Sequence, residues 1–158
     1  MMLSQNNTYF EELRRLGYEF EEKRKAHEAK KEEIIETLGW ESDELKAWYE
    51  EKAAMKFPIE SGAMKALWAW VRSLEHGNEE LEMNDFLWEK EVKDFVDALR
   101  RARFKSFIYT NTSTAVMENL HQLAAEGCTM SGLCTIERME DRWGKEEKVS
   151  ISGIRFIV

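Results

Sequence analysis

Residues 104–128 read FKSFIYTNTSTAVMENLHQLAAEGC, and the chain changes character within them. Phe104 to Tyr109 is rich in aromatic and β-branched residues, a composition typical of a strand. The polar run after it and the spaced apolar residues beyond predict a turn and then a helix over about residues 113–126. Gly127 ends this helix, and we expect a second strand over residues 128–137.

The rest of the chain completes a βαββ unit. A charged loop is expected over residues 138–147 and a third strand over residues 148–158. A right-handed crossover makes the first two strands parallel, and a hairpin makes the last two antiparallel. The sequence therefore predicts a three-stranded mixed sheet in residues 104–158, with one sheet face left for the preceding helices to cover.

Residues 1–103 are rich in Glu, Lys, Ala, Leu and Trp, which are mostly compatible with helices. They hold 17 Lys and Arg against 24 Asp and Glu, whereas residues 104–158 hold 6 against 7. Periodic apolar residues and capping signals predict about four helices, the first over about Thr8–Leu38, and Pro58 separates the second from the third. The expected fold class is α+β, an acidic helical region packed with the βαββ unit as one domain.

The sequence leaves open whether Gly17 divides the first helix in two, and Ser42 is the expected N-cap of the second. Capping signals also place the starts of the third and fourth helices. Ser61 is the expected N-cap of the third helix and Asn84 that of the fourth. Met83 and Trp88 would then form the hydrophobic staple of the fourth helix. This assignment places four large side chains in one core: Trp68, Trp88, Phe95 and Leu99.

The 158 residues carry a formal net charge of −8. An acidic chain repels phosphate backbones, so direct binding to nucleic acid is not expected. A basic protein or nucleoprotein is the partner that fits such a surface, although solubility alone also accounts for it. No stretch approaches the ~20 apolar residues of a membrane helix, and the start lacks a signal-peptide pattern. A cytoplasmic location and no membrane association are therefore expected.

The most acidic part of the chain is residues 75–97, where nine acids stand against Lys90 and Lys93. Acids interleaved with large apolar residues can bind a basic groove that has hydrophobic pockets. An ordinary amphipathic helix with its lead-in loop has the same composition. We select six residues as the candidate partner-binding surface: Glu79, Glu80, Glu82, Asp85, Phe86 and Glu89.

A polar run between the first predicted strand and its helix is the candidate ligand loop. The free backbone N–H groups at a helix N-terminus attract anions, and open αβ sheets bind ligands where strands end. The same residue types also serve as ordinary helix caps, and the run contains neither a GxGxxG nor a P-loop motif. The residues of this loop are Thr110, Asn111, Thr112, Ser113 and Thr114.

No catalytic site, metal site or cofactor is predicted. Cys128 and Cys134 would lie roughly 20 Å apart on one strand at ~3.3 Å per residue, too far for a disulfide or a shared metal ion. We expect both thiols to stay reduced and to be dispensable. His27, His76 and His121 are scattered over three predicted helices without metal-ligand spacing.

Four stretches of the last 60 or so residues carry a resemblance: Phe107–Thr110, Ser113–His121, Glu126–Cys128 and Gly153–Phe156. Together they resemble small proteins of phages and conjugative elements of gut bacteria, for which no activity is known. Small acidic proteins from such elements include anti-CRISPR inhibitors. That link is an analogy of setting and charge, and no sequence motif supports it.

The expected function is non-enzymatic, an interaction protein of a mobile genetic element that inhibits a host nucleic-acid-processing complex such as a CRISPR effector. Two alternatives stay open. One is a small metal-dependent nuclease or hydrolase that uses helix carboxylates. The other is a structural or assembly partner in the element's own transfer or replication machinery.

Overall fold

The computed structural model describes residues 3–158, which form five helices and four strands. The helices are α1 (Thr8–Leu38), α2 (Asp43–Ala54), α3 (Ser61–Glu75), α4 (Glu89–Arg101) and α5 (Val116–Ala125). The strands are β1 (Glu82–Met83), β2 (Ser106–Tyr109), β3 (Thr129–Arg142) and β4 (Lys145–Ile157). The fold is α+β, as the sequence predicts, with four of the helices before the three longer strands.

The chain forms two compact units. The first contains the residues up to Glu11 together with Glu60–Val158, and the second contains Glu12–Ile59. Because α3 and α4 share the first unit with the sheet, the chain does not divide at residue 104, where its composition changes. The boundary near Glu11 lies inside α1, which is one continuous helix.

The second unit consists of most of α1 and all of α2. Its most buried aromatic side chain is Trp48, whose indole N–H donates to the carbonyl oxygen of His27 over 2.6 Å. The indole also stacks on the His27 imidazole with 4.5 Å between ring centroids. Ser42 caps α2 by accepting the N–H of Leu45, as the sequence predicts.

The core of the first unit is aromatic. Phe95 of α4 meets Phe107 of β2 edge to face, and Phe107 stacks on Phe156 of β4, both with ring centroids 5.4 Å apart. Phe10, in the first turn of α1, lies 5.4 Å from Trp70 of α3. All five side chains are almost fully buried. Side chains from distant parts of the sequence therefore form one core.

The predicted core is correct for Phe95 and Leu99 and wrong for the two tryptophans. Trp68 is 51% exposed and Trp88 is 60% exposed. Trp70 is the buried tryptophan of α3, since the buried face of this helix passes through Ala66 and Trp70 rather than Trp68.

The helix starts explain the error at Trp88. α4 begins at Glu89, so Trp88 stands at the N-cap position outside the helix rather than on its inner face. Asn84 is therefore not the cap, and the predicted staple does not form. Ser61 is likewise the first residue of α3, and Glu60 occupies its N-cap position.

The sheet has four strands in the order β1-β2-β4-β3, against the three predicted. β1 is parallel to β2, and β4 is antiparallel to both of its neighbours. β2 and β3 thus run in the same direction, as predicted, but β4 lies between them. The unpredicted strand is only two residues long, and it is defined by hydrogen bonds from Ile108 N to Leu81 O and from Thr110 N to Met83 O.

The segment predicted as a charged loop is the distal half of a long hairpin. β3 continues to Arg142, and β4 starts at Lys145. Trp143 and Gly144 form the turn, with φ angles of 59° and 77°. Two positive φ angles are typical of the mirror-image turn that matches the twist of the flanking strands. The hairpin was missed because both faces of its distal half are solvated, which removes the apolar alternation of a strand.

β4 passes very close to β2 at Gly153. A Cβ atom there would lie 2.6 Å from Cγ2 of Ile108 and 3.0 Å from the carbonyl oxygen of Tyr109. Only glycine permits this approach. Beyond it the hairpin continues past the end of β2, so that Arg138 of β3 reaches Glu82 of β1.

α3 and α4 lie very close together at Gly62. A Cβ atom on Gly62 would overlap the carbonyl oxygen of Glu91 and lie 2.8 Å from the backbone nitrogen of Phe95. The missing side chain therefore sets the distance between the two helices.

Candidate functional site

The two segments selected from the sequence meet at one end of the β1–β2 pair. Because these strands are parallel, the loops that follow Met83 and Tyr109 leave the sheet at the same edge. Asn111 Nδ2 links the loops by donating to the carbonyl oxygen of Asn84 over 2.9 Å. The carboxyl ends of adjacent parallel strands are the usual place for ligands in open αβ sheets.

Asn119 of α5 holds the loop between β1 and α4 from one side. Its Oδ1 accepts the N–H of Leu87 and the hydroxyl of Tyr109, both over 2.9 Å, and its Nδ2 donates to Leu87 O over 2.5 Å. Burial, together with the charge of Asp85, raises the pKa of Tyr109 to about 12. The phenol therefore stays protonated at neutral pH and keeps donating to Asn119.

Lys65 and Glu91 hold the same loop from the other side. Glu91 Oε1 accepts the N–H of Trp88 over 2.9 Å and lies 3.0 Å from Lys65 Nζ. Lys65 also donates to Phe86 O over 2.7 Å and lies 4.4 Å from the centroid of the Phe86 ring. Burial acts to raise the pKa of Glu91, but the Trp88 N–H and Lys65 outweigh it and lower the pKa below its ordinary value.

Glu91→Gln tests this arrangement through its pH dependence. The folded-state pKa of Glu91 lies below its unfolded value of about 4.3, so its contribution to stability is full above that pH and is lost as the pH falls through the folded pKa. We expect the variant to be less stable than the parent at neutral pH. It should also lose less stability between about pH 6 and about pH 3.

Urea midpoints measured across that pH range check the prediction. Glu118→Gln, an exposed acid on α5, is the control and should follow the parent at each pH. Equal acid-induced losses in the Glu91→Gln variant and the parent would contradict the coupling of Glu91 to Lys65.

An exposed aromatic surface lies on and beside this loop. The rings of Phe86 and Trp88 meet edge to face with centroids 4.9 Å apart, and Trp88 is largely solvent-exposed. Trp68 lines a surface hollow of about 300 Å³ together with Lys65, Arg72 and Asp85. We name the following residues the aromatic–acidic patch: Trp68, Asp85, Phe86, Trp88 and Glu89.

The six residues selected as a partner surface do not lie on one surface. Glu79 and Glu80 precede β1, whereas Asp85, Phe86 and Glu89 follow it. Glu79 and Glu89 are exposed, and Asp85 and Phe86 are half-buried. Glu80 is also half-buried and pairs with Arg155 over 2.6 Å.

Glu82, in β1 itself, is 5% exposed. The carboxylate accepts a hydrogen bond from Thr110 Oγ1 over 2.5 Å and forms an ion pair with Arg138. Its selection as a surface residue was wrong. The sequence does not reveal this burial, because the two residues that bind the carboxylate lie 28 and 56 positions away in the chain. Reversing its charge would disturb the fold rather than only the surface.

Arg138 lies between two carboxylates in this buried network. Its guanidinium pairs with Glu82 and, over 2.6 Å, with Glu140. Burial acts to lower the pKa of Arg138, but its hydrogen bonds to the two carboxylates outweigh burial and raise the pKa. Arg138 therefore stays charged at neutral pH.

The candidate ligand loop is partly used by the fold. Thr110 is buried on Glu82, while Asn111 accepts the N–H and the hydroxyl of Ser113 over 3.0 and 2.6 Å. Thr112 and Thr114 are exposed. α5 begins at Val116, later than predicted, and no side chain of the run caps it.

Within residues 3–158, no three His, Cys, Asp or Glu side chains lie close enough to hold a metal ion. Cys128 and Cys134 are both free thiols, and burial raises the pKa of Cys128. No helix in this part of the chain is long and apolar enough to span a bilayer.

Residues 65–158 match a protein family described as a domain of unknown function, DUF7698. The match covers more than half of the chain and contains the whole sheet and the whole aromatic–acidic patch. No curated protein and no solved structure matches the chain.

Proposed function

The chain belongs to the DUF7698 family, and we propose that it is a non-enzymatic interaction protein that binds a basic partner through the aromatic–acidic patch. The exposure of Trp88 in a loop fixed from two sides is the observation that carries this proposal. Tryptophan is enriched among the residues that dominate binding energies. Because the loop is already ordered, binding loses little conformational entropy there.

The patch offers two kinds of attraction to a basic partner. The rings of Phe86 and Trp88 provide an apolar anchor on which an arginine side chain can stack. Glu89 adds negative charge beside those rings, and Asp85 adds a carboxylate that Lys65 partly neutralises at 3.9 Å. Such charges mainly accelerate association, whereas an aromatic anchor that becomes buried in the complex slows dissociation.

We further propose that the partner is a host nucleic-acid-processing complex, such as a CRISPR effector, and that this protein of a mobile element inhibits it in the cytoplasm. Effectors of that class hold nucleic acid in a positively charged channel, which an acidic surface complements. The net charge of −8 supports this proposal. So does the resemblance of the last 60 or so residues to proteins of phages and conjugative elements.

Binding kinetics test the proposal once a partner is captured from host lysate with the parent protein. Trp88→Ala is expected to raise the Kd at least about tenfold, mainly through faster dissociation. Trp143→Ala, at the exposed tip of the hairpin, removes the same side chain outside the patch and is expected to change the Kd less than about twofold.

A charge reversal tests the electrostatic part separately. Glu89→Lys is expected to slow association and flatten its salt dependence, whereas Glu146→Lys on the distal hairpin is the charge-matched control. If Trp88→Ala binds the partner as tightly as Trp143→Ala, the aromatic–acidic patch is not the contact surface.

A further inference from the structure

A cavity of about 240 Å³ lies between the loop that precedes β1 and the outer edge of β3. It is separate from the aromatic–acidic patch, most of which follows β1. The loop contributes Gly77, Asn78, Glu79 and Glu80 to its lining, β3 contributes Thr135, Ile136 and Glu137, and β4 contributes Lys148. The volume is below the roughly 300–1,000 Å³ of pockets for drug-sized ligands, so it suits a single side chain.

Asn78 supplies an unpaired acceptor. The residue is 2% exposed, and its Nδ2 lies 3.4 Å from Glu82 Oε1. Its Oδ1 has no hydrogen-bond partner among residues 3–158. A buried oxygen without a donor is destabilising, and a ligand with an N–H group would satisfy it.

The backbone of β3 adds more acceptors. Met139 N donates away from the sheet, to His76 O, over 3.2 Å. Because outward and inward residues alternate along an antiparallel strand, the carbonyl and N–H groups of Thr135 and Glu137 point the same way, towards the cavity. No backbone hydrogen bond outside the β3–β4 ladder reaches them in the described part of the chain.

Three carboxylates and one ammonium group, that of Lys148, line the cavity, so its charge is negative on balance. Glu137 pairs with Lys148 over 2.7 Å, and Glu80 pairs with Arg155. Glu79, the third carboxylate, has no ion-pair partner within the described residues. Ile136 adds an apolar wall, against which an aliphatic chain can pack.

We infer that this cavity binds an arginine side chain of a partner polypeptide. Its acceptors, on Asn78, Glu79 and β3, lie on different walls, and a guanidinium carries five N–H donors in a planar fork, whereas an ammonium is a compact point charge. The inference rests on the proposed function only for the basic character of the partner, since the cavity and the patch are different surfaces.

N-acetyl-arginine amide is the probe, and it is titrated into the ¹⁵N-labelled full chain by NMR. It is expected to shift three signals saturably, the side-chain amide of Asn78 and the backbone amides of Thr135 and Glu137. N-acetyl-citrulline amide, which has the same shape without the charge, is expected to bind at least about fivefold more weakly. Equal binding of the two probes, or no shift of these three signals, overturns the inference.

Two variants locate the binding. Glu79→Gln is expected to weaken arginine-amide binding about threefold or more, and Glu146→Gln on the hairpin should leave it unchanged. Asn78→Leu should abolish the saturable shifts if it folds, and the exposed Glu79→Gln variant decides the question if Asn78→Leu does not.

A third variant separates the two proposals. Trp88→Ala should bind the arginine amide like the parent, because the probe does not need the patch. If Trp88→Ala loses partner binding and the parent cavity does not bind the probe, only the inference about the cavity is rejected. Probe binding without an effect of Trp88→Ala on the partner rejects only the proposed function.

Discussion

Replacing Arg138 by methionine is expected to lower the free energy of unfolding by about 3–5 kcal/mol, the usual cost of leaving one member of a buried ion pair alone. Methionine retains most of the apolar stem but removes the only cation bound to Glu82 within residues 3–158. The hydroxyl of Thr110 and the amide of Asn78 still donate to Glu82, but neither carries charge.

Urea unfolding of two further variants shows whether burial is the cause. Arg142→Met removes an arginine from the same strand that is half exposed and lies 3.5 Å from Glu140. It should cost less than about 0.5 kcal/mol, as exposed pairs do. Adding Glu82→Leu to Arg138→Met should recover much of the loss, because the stranded charge is then gone. Equal losses for Arg138→Met and Arg142→Met would contradict a buried network.

Gly62→Ala is expected to destabilise the protein by about 1–3 kcal/mol, although alanine is the better helix former by about 1 kcal/mol. The added methyl group meets backbone atoms of Glu91 and Phe95, which cannot rotate away as a side chain could. α3 and α4 must therefore separate, and the buried side chains between them lose contact.

Gly17→Ala makes the same chemical change in α1, where the new Cβ meets only Cδ1 of Ile59 at 3.9 Å. This variant should gain about 0.5–1 kcal/mol from helix propensity and from a less flexible unfolded chain. Thermal and urea unfolding followed by circular dichroism measure both variants. A Gly62→Ala protein as stable as the parent would show that the helices are not held at their closest distance.

The sequence predicts those elements whose signals are local. α1 and α2 carry caps and periodic apolar residues within their own length, and β2 is a short apolar run next to a turn. Both ends of α1 agree with the prediction, as does the cap at Ser42. Gly17 lies inside α1 and does not interrupt it.

Elements that depend on distant partners could not be predicted in the same way. β1 exists only because Ile108 and Thr110 donate hydrogen bonds to Leu81, just before the strand, and to Met83, its last residue. Without that strand the sequence gives no reason to bring the loop after Met83 beside the loop after Tyr109. The aromatic–acidic patch was therefore predicted only in part, as a stretch of acids around Phe86.

The residues that position the site were missed for the same reason. Asn119 looks like an ordinary polar residue of an amphipathic helix, yet it binds Leu87 from 32 residues away. Arg138 stood in a segment predicted as a loop, and its buried partner is 56 residues away. The composition around a buried polar residue does not reveal its partner, because the partner is set by topology.

The division of the chain into two units has a consequence for the order of folding during synthesis. The ring of Phe10 contacts Trp70 and Phe104, and Asn7 donates to Ala102 O. The start of α1 therefore cannot reach its final contacts until residues about 60 to 95 positions later have been synthesised. The second unit is formed by residues 12–59 alone, so all the residues it needs are present as soon as Ile59 has left the ribosome. The sheet can form in full only after β4 has emerged, because β4 lies between β2 and β3. Until then β2 lacks its long neighbour, and its apolar face is the surface that a chaperone would meet.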